Sequence, residues 1–448
     1  MLHAFDFASC ARRDRDASRP ALAPWRLAGV LAASLVAALP AAAVDVGPFS
    51  LNGFGKVEFQ RGTNLCTDCQ RDLGENRQRL WADDIVYGKR FGTKETHVTL
   101  FQPYLGVKQD LGGGFKAFGL LSQRWRDGKA DLPGWLYERN VGLSHEDYGS
   151  LRIGAMPTRG WSVADYPYGT QVGVSDAWGS SGAGYGLLGH AVRVMTRKLD
   201  VLSGDLVLEA TYDQGKSGWK KNKPRFVELY GQFVRGDLVV DAMYQLARNG
   251  EPVAWGHAPF GGLTPFSADD SKLGGSGQSM AMAMARYQVD AKIEVSGGLR
   301  HNRWSGAYAV QTTPGPLGQW NSMFNVDWGG SLNGVPNPGY AARSTDVMLG
   351  LRYRMGAWTG STGMVYLGKA STANPSERGQ SNTVTINTLG LNYDFGKGLQ
   401  AYGLAGMVHY GHKGLAPLSM PSHSAYTNVD SRVATRGNWF GAGAVYTF

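Results

Sequence analysis

From about residue 44 onward, apolar and polar side chains repeatedly change places at every position. In one such stretch Val347, Leu349, Leu351 and Tyr353 share a face, and Asp346, Arg352 and Arg354 share the other. Val192 and Val194 are set against Arg193 and Arg197, and Leu151 and Ile153 against Arg152. Val57 and Phe59 oppose Lys56, Glu58 and Gln60. The last stretch places Phe440, Ala442, Ala444, Tyr446 and Phe448 on one side. A period of two residues is the signature of a β-strand. Two all-β architectures generate it. In a soluble sandwich the apolar face is the core; in a transmembrane barrel it meets lipid and the charged face meets a wet lumen.

The connections separate the two. Very short links such as 112–114, 148–150, 235–237 and 396–398 alternate with long polar ones near 61–94, 159–189, 249–278, 305–344 and 412–435. Shorter polar links lie near 127–134, 214–223 and 370–381. Short turns at one end and long loops at the other are the asymmetry of an outer-membrane barrel. Loops of this length are unusual in a compact soluble domain. The segments number about sixteen, and this reading places them near 49–60, 95–109, 115–126, 135–146, 150–158, 190–198, 204–213, 224–234, 237–248, 279–288, 292–304, 345–355, 357–369, 382–396, 398–411 and 436–448. An even number closes a single-chain barrel and puts both termini at the short-turn, periplasmic end. Closure is required, because an open sheet edge in hydrocarbon leaves backbone groups unpaired. The expected fold is all-β: a transmembrane antiparallel β-barrel with short periplasmic turns and long extracellular loops. A barrel of ~16 strands encloses an aqueous channel in place of a packed core. Between Val44 and Phe49 there is no room for a plug domain.

Composition agrees. Glycine makes up 63 of 448 residues, 18% of residues are charged, 11% are aromatic, and mean hydropathy is −0.26. The aromatic content and low charge exclude a disordered chain. Beyond one N-terminal stretch there is no apolar run long enough for a helical span. The exception is Leu27–Leu39, preceded by Arg12, Arg13, Arg15, Arg19 and Arg26 and followed by Ala41-Ala42-Ala43. A basic stretch, a short apolar run and small residues read as a secretory signal, cleaved after Ala43, ahead of a membrane anchor. Residues 44–448 then form a single barrel domain. Removing the signal takes away five arginines and three aspartates, so a chain of +9 becomes one of +7, with 40 basic and 33 acidic residues. The basic residues are scattered and form no block, which argues against nucleic acid as a partner.

Cys10 leaves with the signal. Cys66-Thr67-Asp68-Cys69 falls in the first long link and reads as a loop-tightening disulfide ahead of free thiols or half a metal site. The histidines show no convincing ligand spacing, and neither a nucleophile elbow, a phosphate-binding loop nor a zinc-protease motif occurs. No enzyme activity, cofactor or metal is therefore expected. Charge on a lipid face costs ~2–4 kcal/mol at the bilayer midplane. Lys56, Arg124, Arg126, Arg152, Arg193, Arg197, Arg352 and Arg354 are accordingly expected to line the lumen and favour anions. Arg124 and Arg126, two residues apart, are assigned to one face of one strand. Arg139 is a misfit, aligned with the apolar Val141 and Leu143. Met280, Met282 and Met284 share one face and pack either into the lumen or against a neighbouring subunit.

Leu51-Asn52-Gly53-Phe54-Gly55-Lys56-Val57-Glu58, Glu138-Arg139-Asn140-Val141-Gly142-Leu143-Ser144, Tyr148-Gly149-Ser150-Leu151-Arg152-Ile153-Gly154 and the closing Tyr446-Thr447-Phe448 resemble the general porins of Gram-negative bacteria. The resemblance implies a homotrimer in outer-membrane lipid that passively admits small hydrophilic solutes and ions. It implies that the third loop, matched here by 159–189, folds into the barrel as a constriction. Asp165 and Asp176, with Trp161, Tyr166 and Tyr168, would face the basic wall from that loop. Two departures weaken the match: Ala155 stands where the family commonly has Arg, and the loop is poor in acid. A channel selective for a sugar, phosphate or carboxylate is the principal alternative.

Overall fold

The structure, a computed structural model, describes residues 44–66, 91–130, 138–163, 178, 187–215, 218–249, 269, 276–306, 341–372, 383–412 and 434–448. Its main strands are β1 (Phe49–Cys66), β2 (Phe91–Gly112), β3 (Phe115–Ser122), β4 (Glu138–His145), β5 (Gly149–Pro157), β6 (Leu187–Met195), β7 (Gly204–Asp213) and β8 (Arg225–Arg235). They continue with β9 (Leu238–Arg248), β10 (Ser276–Gln288), β11 (Ile293–Gly306), β12 (Ala342–Met355), β13 (Trp358–Leu367), β14 (Val384–Gly396), β15 (Leu399–Tyr410) and β16 (Arg436–Thr447). Each pairs antiparallel with the next, and β16 pairs back onto β1 from Phe54↔Thr447 to Gly62↔Trp439. One sheet thus closes on itself as a barrel of sixteen strands. Short segments extend it: Trp125–Arg126 beyond β3, Leu199–Val201 beyond β6 and Ser371–Thr372 beyond β13. Val44–Val46 pairs with the start of β1.

The short turns and both ends of the barrel chain lie at one end. The backbone requires glycine there. Gly112, Gly113 and Gly114 all have positive φ, and a Cβ on Gly149 (φ +98°) would sit 2.0 Å from the Met195 carbonyl oxygen. At the turn after β10, the Asp290 carboxyl is held below its usual pKa range by hydrogen bonds from the backbone N–H groups of Lys292 and Ile293.

The two faces of the sheet are chemically inverted relative to a soluble protein. Outside are exposed Phe101, Leu105, Val141, Ile153, Val194, Leu299, Leu349, Leu351, Leu389 and Phe440. Inside are buried Glu58, Glu138, Arg193, Glu209, Glu228, Arg300 and Asp346. This arrangement suits lipid outside and water within. Phe115, Tyr148, Tyr287, Tyr353, Trp358 and Phe395 ring the short-turn end, all exposed, as an interfacial aromatic girdle.

Some boundaries differ from the sequence reading. β1 runs on to Cys66, whose backbone pairs with Phe91, so Cys66 ends a strand and does not lie within the loop. Cys69 lies outside the described residues. The segment expected at 115–126 is broken at Gln123–Arg124, because the Gln123 Oε1 accepts the Arg124 N–H (2.8 Å) and withdraws it from the ladder. The expected strand 190–198 starts at Leu187 and breaks after Met195, where Thr196 Oγ1 accepts the Leu208 N–H. Arg197 is consequently not on the inner wall strand.

Candidate pore constriction

The link after β5 begins as one helical turn, α1 (Arg159–Ser162), with Thr158 at its N-cap. Its amide groups point at Glu228 of β8. The Arg159 N–H is 3.0 and 2.9 Å from the two carboxylate oxygens, and the Gly160 N–H is 3.4 Å from one of them. Gln245 of β9 donates to the same carboxylate, and a Cβ on Gly160 would come within 3.0 Å of the Gln245 amide nitrogen. The Arg159 guanidinium pairs with Glu209 of β7 through Nε (2.7 Å) and a second nitrogen. Arg193 of β6 sits between both acids, 3.7 Å from Glu209 and 3.5 Å from Glu228. It also donates to Thr211 Oγ1 and to the Pro157 carbonyl. Two arginines and two glutamates therefore alternate on the inner wall and fix where the link leaves the strand. Arg159 also lies over the Tyr230 ring, 5.2 Å from its centroid.

A second anchor lies on the wall formed by β10 to β12. Trp178, fully buried, donates its indole N–H to the Met284 sulfur (3.1 Å). Its carbonyl accepts from Arg300 (2.7 Å), and the guanidinium carbon lies 4.4 Å from the ring centroid. Arg300 is in turn paired with Asp346 through two nitrogens at 3.0 and 2.9 Å. Asp346 also accepts from Asn302 (2.8 Å) and from the Gly368 N–H (2.9 Å). Gly298 leaves room for the indole: a Cβ there would lie 3.0 Å from it. Val163 and Trp178 share an apolar cluster with Tyr230, Met243, Met280, Met282, Met284 and Met348. The methionines expected to face a subunit or the lumen thus face the lumen, and they do so to seat the link. Arg159 and Gly160 rest on inward-facing side chains of β7 to β9, and Trp178 rests on those of β10 to β12, the adjoining part of the wall. Arg159, Gly160, Val163 and Trp178 thus lie against the inner wall.

The residues expected to line the pore fall into groups. Lys56 faces inward but is bonded to Glu58 (2.8 Å), which also accepts from Tyr402 and Gln60. Arg152 faces inward opposite Arg193 and lies over Phe118, 5.2 Å from its centroid. Arg126 stands opposite the inward Leu100. Arg124 sits in the break and does not share a strand face with it. Arg352 and Arg354 meet Arg286 around one carboxylate, Glu294 of β11, at 2.8, 3.2 and 3.7 Å. Arg139 is exposed on the exterior, level with Leu121 and Ala155. Asp165 and Asp176 lie outside the described residues. The expectation omitted the acids Glu138, Glu209, Glu228, Glu294 and Asp346, as well as Arg159, Arg300 and Trp178. The acids carried the same period-two signal as the arginines.

The sequence matches the family model described as Gram-negative porin over residues 29–413. The chain belongs to that family. Solved structures similar to this porin share its fold at low identity. The anion-selective porin from Comamonas acidovorans is 14% identical, with TM-score 0.57, over 89% of this chain and 99% of that one. OmpF of Salmonella typhi, in complex with daunomycin, is 12% identical, with TM-score 0.53, over 91% and 100%. A trimer form of OmpT from Vibrio cholerae is 12% identical, with TM-score 0.52, over 89% and 99%. No curated protein matches the sequence significantly. This porin is an outer-membrane channel for small solutes.

Proposed function

We propose that this porin conducts small hydrophilic solutes and ions by passive diffusion, prefers anions, and assembles as a homotrimer. The observation that carries the anion preference is the group around Glu294, where three guanidiniums meet one carboxylate and leave a local excess of two positive charges. Elsewhere on the described inner wall, positive and negative groups largely compensate, as at Arg159–Glu209, Arg300–Asp346 and Lys56–Glu58. A cluster in which guanidiniums outnumber carboxylates on the wall of a pore raises the local anion concentration. The likeness to an anion-selective porin supports the preference, and the likeness to a trimeric form supports the assembly.

Reversal potential in a planar bilayer under a salt gradient tests the preference. The wild type is expected to favour anions, and Arg286→Ala/Arg352→Ala/Arg354→Ala is expected to move the potential towards zero. Cation preference in the wild type would refute the reading. Conductance should rise in proportion to salt; saturable block by one solute would indicate a selective channel instead.

Export requires the leader to be removed. Cleavage after Ala43 would leave Val44 as the first residue, and Val44 is already in register with Leu51. Intact mass of the protein from outer membranes is expected to correspond to 44–448. A mass that includes residues 27–43 would show a retained anchor.

A further inference from the structure

On the inner wall, β13 to β16 leave a bare patch on which an indole lies flat. Gly363 of β13, Thr388 of β14 and Gly406 of β15 stand in one cross-strand row, and Trp439 of β16 pairs with Gly406. Gly406 is on the inward face, in step with the buried Tyr402 and Val408. A Cβ there would lie 2.1 Å from Cζ2 of Trp439, 2.4 Å from Cε2 and 2.5 Å from Cη2. Near-equal distances to three adjacent ring atoms place that point over the face of the ring and not beyond its edge. One face of the indole therefore rests on the Gly406 backbone, and the other is turned to the lumen. The side chain is half-buried, with its remaining contacts on the cluster that includes Val408 and Tyr410.

Polar groups of zero net charge border this ring. Thr388 stands directly opposite Gly406, and its hydroxyl is buried with no hydrogen-bond partner among the described residues. Two residues down β16 from Trp439, Gln60 of β1 stands opposite Gly441 and donates to Glu58. Glu58 is tied to Lys56 (2.8 Å) and accepts from the Tyr402 hydroxyl. Tyr402 repeats the arrangement of Trp439, since a Cβ on Gly443 would lie 2.5 Å from its hydroxyl oxygen. Opposite Tyr402, the side-chain carbonyl of Asn392 is also buried and unpartnered among the described residues. The strip from Trp439 to Gly443 spans four residues, ~13 Å along the strand.

The chemistry of the strip selects its solute. The free face of an indole attracts either a cation or the flat C–H side of a ring. Lys56 neutralises Glu58, so no carboxylate is left to hold a cation against the ring. A buried polar atom without a partner costs free energy until something bonds to it. A flat apolar face flanked by uncharged hydrogen-bonding groups fits a pyranose, which carries C–H bonds on its faces and hydroxyls around its rim.

We propose that this strip is a subsite for neutral sugars, with one pyranose lying on the lumen face of Trp439 and its hydroxyls bonded by Thr388 and Gln60. The proposal rests on the passive-channel reading and deepens it by naming a class of solute. The sugar still moves down its own gradient, and a single ring face with two polar neighbours holds it too weakly to close the bore to ions.

Swelling of liposomes that carry the whole porin tests it. The probes are maltose and a polyethylene glycol of matched hydrodynamic size, whose ether oxygens accept hydrogen bonds but whose chain offers no ring face. The wild type is expected to admit maltose about tenfold faster than the glycol, the combined effect of one aromatic face and one hydroxyl. Trp439→Leu should lower that ratio about fivefold, and Trp439→Phe, which keeps a smaller face, should lower it less. Thr388→Val keeps the shape but loses the hydroxyl, and should lower the ratio about twofold. Equal wild-type rates for the two solutes, or a ratio that Trp439→Leu leaves unchanged, would overturn the subsite. Should Trp439→Leu not fold, an unchanged ratio in both Trp439→Phe and Thr388→Val would overturn it instead. A porin that admits neither solute would overturn the passive-channel reading and the subsite with it, whereas loss of the sugar preference alone leaves that reading standing.

Discussion

Replacing Asp346 with alanine is expected to destabilise the barrel by about 3–5 kcal/mol and at the same time to loosen the loop inside it. The side chains of Arg300 and Asp346 are 1% and 0% exposed. Removing the acid alone leaves a guanidinium buried without its counter-charge, the costly way to break such a pair. Asn302 and the Gly368 N–H lose their acceptor in the same step. The functional consequence follows from the second task of Arg300. Its guanidinium holds the Trp178 carbonyl and lies against the indole, so a displaced Arg300 releases the link from the β10–β12 wall. The midpoint of denaturant unfolding should fall, and single-channel records should show higher or noisier conductance. Trp178→Ala leaves the ion pair intact, so it should give the same change in conductance with a smaller loss of stability. If Asp346→Ala unfolds more easily but its conductance record matches the wild type, Arg300 does not hold the link in the way described.

The sixteen strands were legible because the bilayer forces alternation on every one of them. Val347, Leu349 and Leu351 could not exchange faces with Asp346 and Arg352 without placing charge in lipid. The breaks were not legible. At Gln123–Arg124 and Thr196 a side-chain oxygen captures a backbone N–H, and neither residue type announces that role in a strand-like run. The inner wall was half legible. Period two put Arg152, Arg193 and Arg352 on the right face, but the same period applied to Glu209, Glu228 and Glu294 would have shown that most of that charge is compensated. The loop anchors could not be read at all. Trp178 meets Met284 and Arg300, residues 106 and 122 positions away, and α1 meets a glutamate 69 away. Only closure of the barrel brings these together, and no local pattern encodes them.

Glu228 is where stability and selectivity pull on one carboxylate, and its substitution separates them. It is fully buried and collects the amides of Arg159 and Gly160, the Gln245 amide and the Arg193 guanidinium. Glu228→Gln keeps the size but loses the charge, and turns one acceptor oxygen into a donor facing other donors. A loss of about 3–5 kcal/mol is expected, as for a buried pair broken from one side. With one negative charge removed, Arg159 and Arg193 are left facing only Glu209, a local excess of one positive charge. The reversal potential should therefore shift further towards anions. Arg193→Met/Glu228→Met removes both charges together. Replacing a whole buried pair by apolar groups of similar size is often close to neutral, so this variant should regain much of the lost stability. It should also return the reversal potential to the wild-type value. A loss of stability in Glu228→Gln with no shift in potential would mean that this network only holds the loop and that permeating ions do not sense it. A shift that persists in the double variant would mean that the potential reports loop displacement and not charge.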